Sequence, residues 1–313
     1  MRFSFEYPSL REVRPQAIGV LHELLEKEYR TFHLDHGVRH PCGIYNVSLS
    51  QVSKRLLAVI HCANELGYPD NRYYPDGNPR VEAFLEKLDA MLDAFAEHVE
   101  DCENIIKCFF PSKKDEECKR WVRDFQKQVR DYAVRVSHLV NRIKHSHGRL
   151  RALAFHWGSN FCYGYYVEGV TATGAIGPDS TLHLAPKTQA YSLNRDLMFH
   201  LCGVFWLSAQ LARIVRCISG VDGEMSRRID GLDDLHKAID ELASLKSWTF
   251  DDEIQLPRGE IRIASAGCVH IYFGVPRGAI HLLPQHAGGF VSTRADGTSR
   301  TFAFPYMHRA GIR

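Results

Sequence analysis

The feature that most limits how this chain can fold is an apolar seam between Ser112 and Gly148. Cys118, Val122, Phe125, Val129, Tyr132, Val136, Leu139 and Ile143 alternate steps of four and three residues without a break. That spacing keeps one face of an α-helix turned toward a partner along its whole length. Ser112 followed by Asp115 resembles a capping box, with Asp in place of the usual Glu or Gln. A helix from about 113 to 147 would be roughly 50 Å long at 1.5 Å per residue. Such a helix extends beyond its own bundle or pairs with a second chain.

Three further helices precede it. Pro15 suits a first helical turn, and Ile18, Leu21, Leu24, Leu25, Tyr29 and Phe32 recur at helical steps to a stop near His33. Residues before Pro15 read as irregular. A second helix starts near Ser48 or Ser50, presents Val52, Leu56, Val59, Ile60, Ala63 and Leu66 on one side, and stops at Gly67 and Pro69. Asn78 caps a third, with Pro79 at its first position and Val81, Phe84, Leu85, Leu88, Met91, Leu92, Phe95 and Val99 as the buried face.

Beyond Gly148 the apolar period changes from helical to two. Leu153, Phe155 and Trp157 alternate, as do Phe161, Tyr163, Tyr165 and Val167, predicting antiparallel strands. The segment TGAIGPDST reads as a turn, and Leu182 to Leu184 as a short strand. Ser192 caps another helix, striped by Leu197, Leu201, Val204, Leu211, Val215 and Ile218 and ended by Gly220. A shorter helix spans Asp234 to Lys246. Strands follow at Glu260 to Ile263 and Val269 to Val275, with a hairpin pivoting on Asp296-Gly297. The expected class is therefore α+β. Residues 1–148 form an antiparallel helical bundle with one very long helix, and 149–313 an antiparallel sheet segment with two packed helices.

A net charge of +2 on 313 residues names no partner, so electrostatics must be read locally. From Arg80 to Glu103 there are two basic and eight acidic side chains; from Lys113 to Arg151 there are twelve basic and five acidic. Two readings stand side by side: an antiparallel hairpin whose opposite charges offset each other, or a basic rail left for phosphate. No apolar run suggests a membrane span, and the first residues do not read as a signal peptide. Nine scattered cysteines without CxxC suggest reduced thiols and a cytoplasmic location, with no membrane partner.

Motif reading excludes several common chemistries. There is no P-loop, GxGxxG, HExxH, GxSxG or EF-hand pattern. His33, Asp35, His36 and His40 lie close together in sequence and carry zinc-compatible donors, but Gly37 and Pro41 mark the segment as plain loop. No metal or other cofactor is expected. The strings RIKHSH and RDLMFH each place arginine and histidine five positions apart: Arg142 with His147, and Arg195 with His200. This spacing resembles the RxxxxH motif of HEPN proteins, helical bundles that include metal-independent ribonucleases of toxin and defence systems. The resemblance implies that Arg142 stabilises a scissile phosphate while His147 exchanges protons with the 2′-hydroxyl or the leaving oxygen. It also implies a site at a dimer interface.

Helical geometry refines that expectation. Arg142 and His147 fall roughly 140° apart on a regular helix, so they converge only if the helix breaks near Gly148 or a second chain contributes. His138, Arg142 and His145 share one face instead. The expected catalytic group is thus Arg142, His147, His145 and His138, with Asn141, Lys144, Arg149, Arg151, Arg195 and His200 as binding residues. The partners would be RNA, a second copy of the chain, and a protein partner or antitoxin. A non-catalytic sensor or scaffold that dimerises through the bundle is the rival expectation.

Overall fold

Asn78 begins the third helix as its sequence suggests: Oδ1 accepts from the Arg80 N–H at 2.9 Å, ahead of Pro79. In the computed structural model the described residues are 2–66, 78–146, 148–157, 160–170, 176–183, 190–223, 231–244, 253, 258–274, 288–289, 292–295 and 298–301. Six helices appear among them: α1 (Gln16–Glu26), α2 (Pro41–Leu66), α3 (Pro79–Lys107), α4 (Glu116–His145), α5 (Leu193–Ser219) and α6 (Asp233–Ser244). The strands are β1 (Phe3–Tyr7), β2 (Arg149–Trp157), β3 (Asn160–Val170), β4 (Ile176–Pro178), β5 (Tyr191–Ser192), β6 (Arg258–Ile263), β7 (Val269–Gly274), β8 (Gly288–Gly289), β9 (Ser292–Ala295) and β10 (Thr298–Thr301). The protein is α+β, with a helical N-terminal half and antiparallel sheets.

Several boundaries differ from the expectation, each for a local reason. Phe3–Tyr7 is a strand rather than irregular, because the alternation of Phe3, Phe5 and Tyr7 lets it pair antiparallel with β7. Helix α1 ends at Glu26, where Glu28 takes a left-handed conformation (φ 47°), so Tyr29 and Phe32 lie beyond it. Helix α2 starts at Pro41, seven residues before Ser48, because His40 Nδ1 accepts the Cys42 N–H at 3.2 Å and proline needs no partner in a first turn. Asp115, not Ser112, holds the N-cap position of α4, without a side-chain capping bond, while the Ser112 N–H donates to Asp115 Oδ2 at 3.3 Å just ahead of it. The expected turn at TGAIGPDST contains β4, and the described part of Leu182–Leu184 is turn rather than strand. β9 pairs antiparallel with β10 as a hairpin requires, while the expected pivot Asp296-Gly297 lies outside the described residues.

Helix α5 organises the core. It is long and apolar enough to cross a membrane by length and composition, yet most of it is buried inside the fold. It packs against α1, α3 and α4 on the helical side and against β3, β6 and β7 on the other. Gly203 lets it approach α4 closely, since a Cβ there would enter the Tyr132 ring. One hydrophobic cluster consequently runs from Val13 through the α4 seam to Phe273. The expected boundary at Gly148 marks a change of local structure within a shared core, not a gap between two cores.

Two sheets flank this centre. The order β1-β7-β6 forms one, and β4-β3-β2-β8 with β5 also on β3 forms the other; every pairing is antiparallel.

Candidate functional site

The last two turns of α4 split their polar residues between two directions. His138, Asn141 and His145 are exposed. Arg142 turns inward and donates from Nε to Asp179 Oδ2 at 3.0 Å, with a second bond from its terminal nitrogen to the same oxygen. Asp179, after β4, is 1% exposed and also accepts from the Thr181 N–H at 2.8 Å. Burial alone would raise the Asp179 pKa, but the bonds from Thr181 and Arg142 outweigh it and hold the carboxyl below its ordinary range. Lys144 reaches the other way, to Asp93 of α3 at 3.0 Å.

Gly148 makes this junction possible. Its N–H donates to the Arg142 carbonyl at 3.0 Å, a bond that satisfies an end-of-helix carbonyl. A Cβ at Gly148 would sit 2.8 Å from both that oxygen and Val167 Cγ1, so no other residue fits without a shift. His147 lies outside the described residues. Arg149 is exposed at the start of β2, and Arg151 forms a two-pronged pair with Glu168 across the β2–β3 ladder, at 3.0 and 3.2 Å.

The second Arg–His string lies inside the protein. Arg195 is 4% and His200 1% exposed. Arg195 pairs with Glu253 at 3.4 Å, while the same carboxylate accepts from the Ser192 N–H. His200 stacks on Phe95 and its Nδ1 lies 3.3 Å from the Tyr132 hydroxyl. Its Nε2 is 3.2 Å from Asp196 Oδ2. Asp196 accepts from Arg135 at 2.6 Å and from the Tyr165 hydroxyl. Burial would raise its pKa, yet His200, Arg135 and Tyr165 together hold it well below the carboxylate range. Arg195 and His200 therefore belong to a buried scaffold rather than an open binding surface.

Sequence reasoning missed the centre of that scaffold, Arg135 and Asp196. The guanidinium of Arg135 is held between the rings of Tyr191 (4.8 Å) and Phe199 (4.2 Å) while it bonds Asp196. No one-dimensional pattern links residues 61 positions apart. Tyr165 and Tyr166 are fully buried, so neither offers a ring to an outside ligand.

The histidine loop is also spoken for. His33 Nδ1 meets Thr31 Oγ1 at 2.7 Å, His36 Nε2 donates to the Phe110 carbonyl at 2.8 Å, and His40 caps α2. Among the described residues no group of three His, Cys, Asp or Glu side chains is placed to hold a metal ion.

One surface feature remains. Lys119, Arg123, Lys127, Arg130, His138, Asn141 and His145 follow each other at steps that keep them within about 100° on one side of α4. All but Lys119, which is partly covered, are exposed. Lys119 pairs locally with Glu116. Arg123, Lys127 and Arg130 have no ion pair among the described residues. Asp124 faces away and pairs with Arg213 of α5 at 2.7 Å, and Asp131 stands at the border of the stripe. The stripe spans roughly 39 Å from Lys119 to His145 at 1.5 Å per residue.

No protein-family model matches the chain, and neither does any curated protein or solved structure. The reading of function therefore rests on these residues.

Proposed function

We propose that the protein binds RNA along the exposed basic side of α4. The observation that carries this reading is the exposed run Arg123, Lys127 and Arg130, which forms no ion pair among the described residues and is continued by exposed His138 and His145 toward the junction with β2. Cations at intervals of three and four residues on a straight helix present a line of charge to a phosphate backbone. Phosphate contacts of this kind supply most sequence-independent affinity. The opposed-charge reading explains only Lys144, which meets Asp93 of α3.

The test is fluorescence anisotropy of a labelled single-stranded 20-mer RNA across a salt series, with DNA of equal length as competitor. Wild type should show log affinity falling linearly with log salt. Replacing Arg123, Lys127 and Arg130 together with alanine should flatten that slope by about 2, at about 0.7 per single-strand phosphate contact. Binding absent in wild type, or a slope unchanged in the variant, overturns the reading.

A second reading, metal-independent RNA cleavage of the HEPN kind, is favoured by one arrangement: exposed His138 and His145 flank Arg142, which keeps 31% of its side chain exposed while Asp179 orients it. Mixed RNA incubated with the protein in EDTA tests it. His138→Ala with His145→Ala is the decisive variant, because Arg142→Ala also strands Asp179. Cleavage surviving the double substitution removes these histidines from the chemistry. No cleavage by wild type leaves the protein a binder.

A further inference from the structure

Helices α3 and α4 run antiparallel, and both rest their apolar sides on the same residue of α5. Phe95 stacks on His200 at 4.7 Å between ring centroids, and Tyr132 meets that imidazole edge-on at 5.9 Å. The opposite sides of the two helices therefore open next to each other on one surface. On α3, Glu82, Glu86, Asp89, Asp93, Glu97 and Glu100 recur at steps of three and four, which keeps them within about 80° of arc. Glu82, Glu86, Glu97 and Glu100 are exposed, and Asp89 and Asp93 are partly covered. Arg80 and Lys87 fall outside that arc. Among the described residues only Asp93 and Glu86 of the six have an ion pair, with Lys144 at 3.0 Å and Lys87 at 3.5 Å. Burial, and then the charge of Asp93, push the Asp89 carboxyl above its ordinary range, and Lys144 offsets only part of this.

This acidic stripe and the cations of α4 lie at opposite ends of the helix pair. Gln126 Nε2 donates to Glu103 Oε1 at 2.9 Å, and Lys144 meets Asp93, so His98 of α3 comes about level with Arg135 of α4. The centre of the acidic stripe, near Met91, is then level with Arg142. That is about 23 Å along the axis from the cationic centre at Lys127. Val134 stands midway between the two centres, on the outward side of α4, and this apolar side chain is 56% exposed.

We propose that a second copy of this chain docks face to face on the α3–α4 surface, about a two-fold axis beside Val134. An axis lying in that surface, midway between the patches, exchanges them. The acidic stripe of each copy then covers Arg123, Lys127 and Arg130 of the other, and the two Val134 side chains approach at the centre. The contact is isologous and closes on itself. A face two helices wide, about 20 Å by about 30 Å, gives about 600 Å² per copy. The total of about 1,200 Å² is at the lower limit for a specific interface, so the dimer should be reversible, with charge setting its register. This inference does not depend on RNA binding, but it uses the same three cations, so RNA and the second copy exclude each other.

Sedimentation velocity of the full-length protein over a concentration series tests the pairing, with circular dichroism as a check that each variant folds. Wild type should dimerise at low salt, and its dissociation constant should rise about tenfold or more at about 0.5 M salt. Replacing Glu82, Glu86, Glu97 and Glu100 with lysine makes both patches basic. Replacing Arg123, Lys127 and Arg130 with glutamate makes both acidic. Each variant alone should stay monomeric, whereas an equimolar mixture should form a heterodimer, because both contacts are then restored. Val134→Lys sets two like charges near the axis and should raise the dissociation constant about tenfold. A wild type that stays monomeric overturns the proposal. So does a dimer that persists in either charge-reversed variant alone, a mixture that stays monomeric, or an association unchanged by Val134→Lys.

Discussion

Arg142, in the last turn of α4, is bonded through Nε at 3.0 Å to Asp179, which is buried just after β4. This pair ties the end of the longest helix to the sheet that follows it. Replacing Arg142 with alanine leaves a buried carboxylate with only Thr181 as a side-chain donor. Removing one partner of a buried pair costs about 3–5 kcal/mol, and the partial exposure of Arg142 reduces this to about 2 kcal/mol. Urea denaturation should show that loss, and Asp179→Asn should lose less because it leaves no buried charge.

Two buried histidines set the acid limit of stability. Burial lowers the pKa of His98 to about 4 and that of His183 to about 3. The geometry of His183 agrees, because its Nε2 accepts the Val167 N–H at 3.0 Å and so must lack a proton. Both groups take up protons more readily in the unfolded chain, near pH 6.5. Their neutral burial is therefore favourable above about pH 6.5. Stability should fall as pH drops from there toward 4, and for His183 on toward 3, by up to about 1.4 kcal/mol per pH unit for each ring. Denaturation midpoints measured against pH should show this slope, and His98→Gln should make it shallower.

Gly203→Ala should destabilise without touching either candidate surface. The added Cβ enters the Tyr132 ring, which is 1% exposed and also meets His200. Overpacking of this kind costs about 1–3 kcal/mol. A melting temperature unchanged from wild type would show that the α4–α5 contact can yield.

Single alanine substitutions at Arg123, Lys127 and Arg130 should leave stability within about 0.5 kcal/mol of wild type. Each side chain is exposed, and none has an ion pair among the described residues. A larger loss would mean that these cations stabilise the fold, removing the reason to assign them to RNA.

Thiol labelling should follow burial. Cys217 is exposed, whereas Cys102 and Cys202 are fully buried. Burial pushes the Cys202 thiol up to about 12 and raises Cys102 further still. A thiol reagent at pH 8 should modify Cys217 in the native protein and reach Cys102 and Cys202 only after denaturation. Fast native labelling of Cys202 would show that α5 separates from β6.

The site was less legible than the fold. The four-and-three spacing in α4, the Asn78-Pro79 start of α3 and the Ser192 to Gly220 limits of α5 all act over neighbouring residues, so a linear pattern carries them. The Arg195–His200 spacing is equally visible, yet both residues are buried among polar partners inside the protein. A spacing says nothing about exposure. The basic side of α4 was visible as composition, but which cations remain unpaired depended on where Asp179, Asp93 and Asp196 came to rest.

By itself the sequence determined the helical half, the change of period at Gly148, and the strands β2, β3, β6 and β7, because hydrogen bonding and apolar periodicity act within one or two turns. Tertiary structure decided that β1 joins β7, that α5 unites both halves in one core, and that Arg142 serves Asp179. Those outcomes depend on contacts between residues tens to hundreds of positions apart. Burial and charge pairing select them only once the chain has closed on itself.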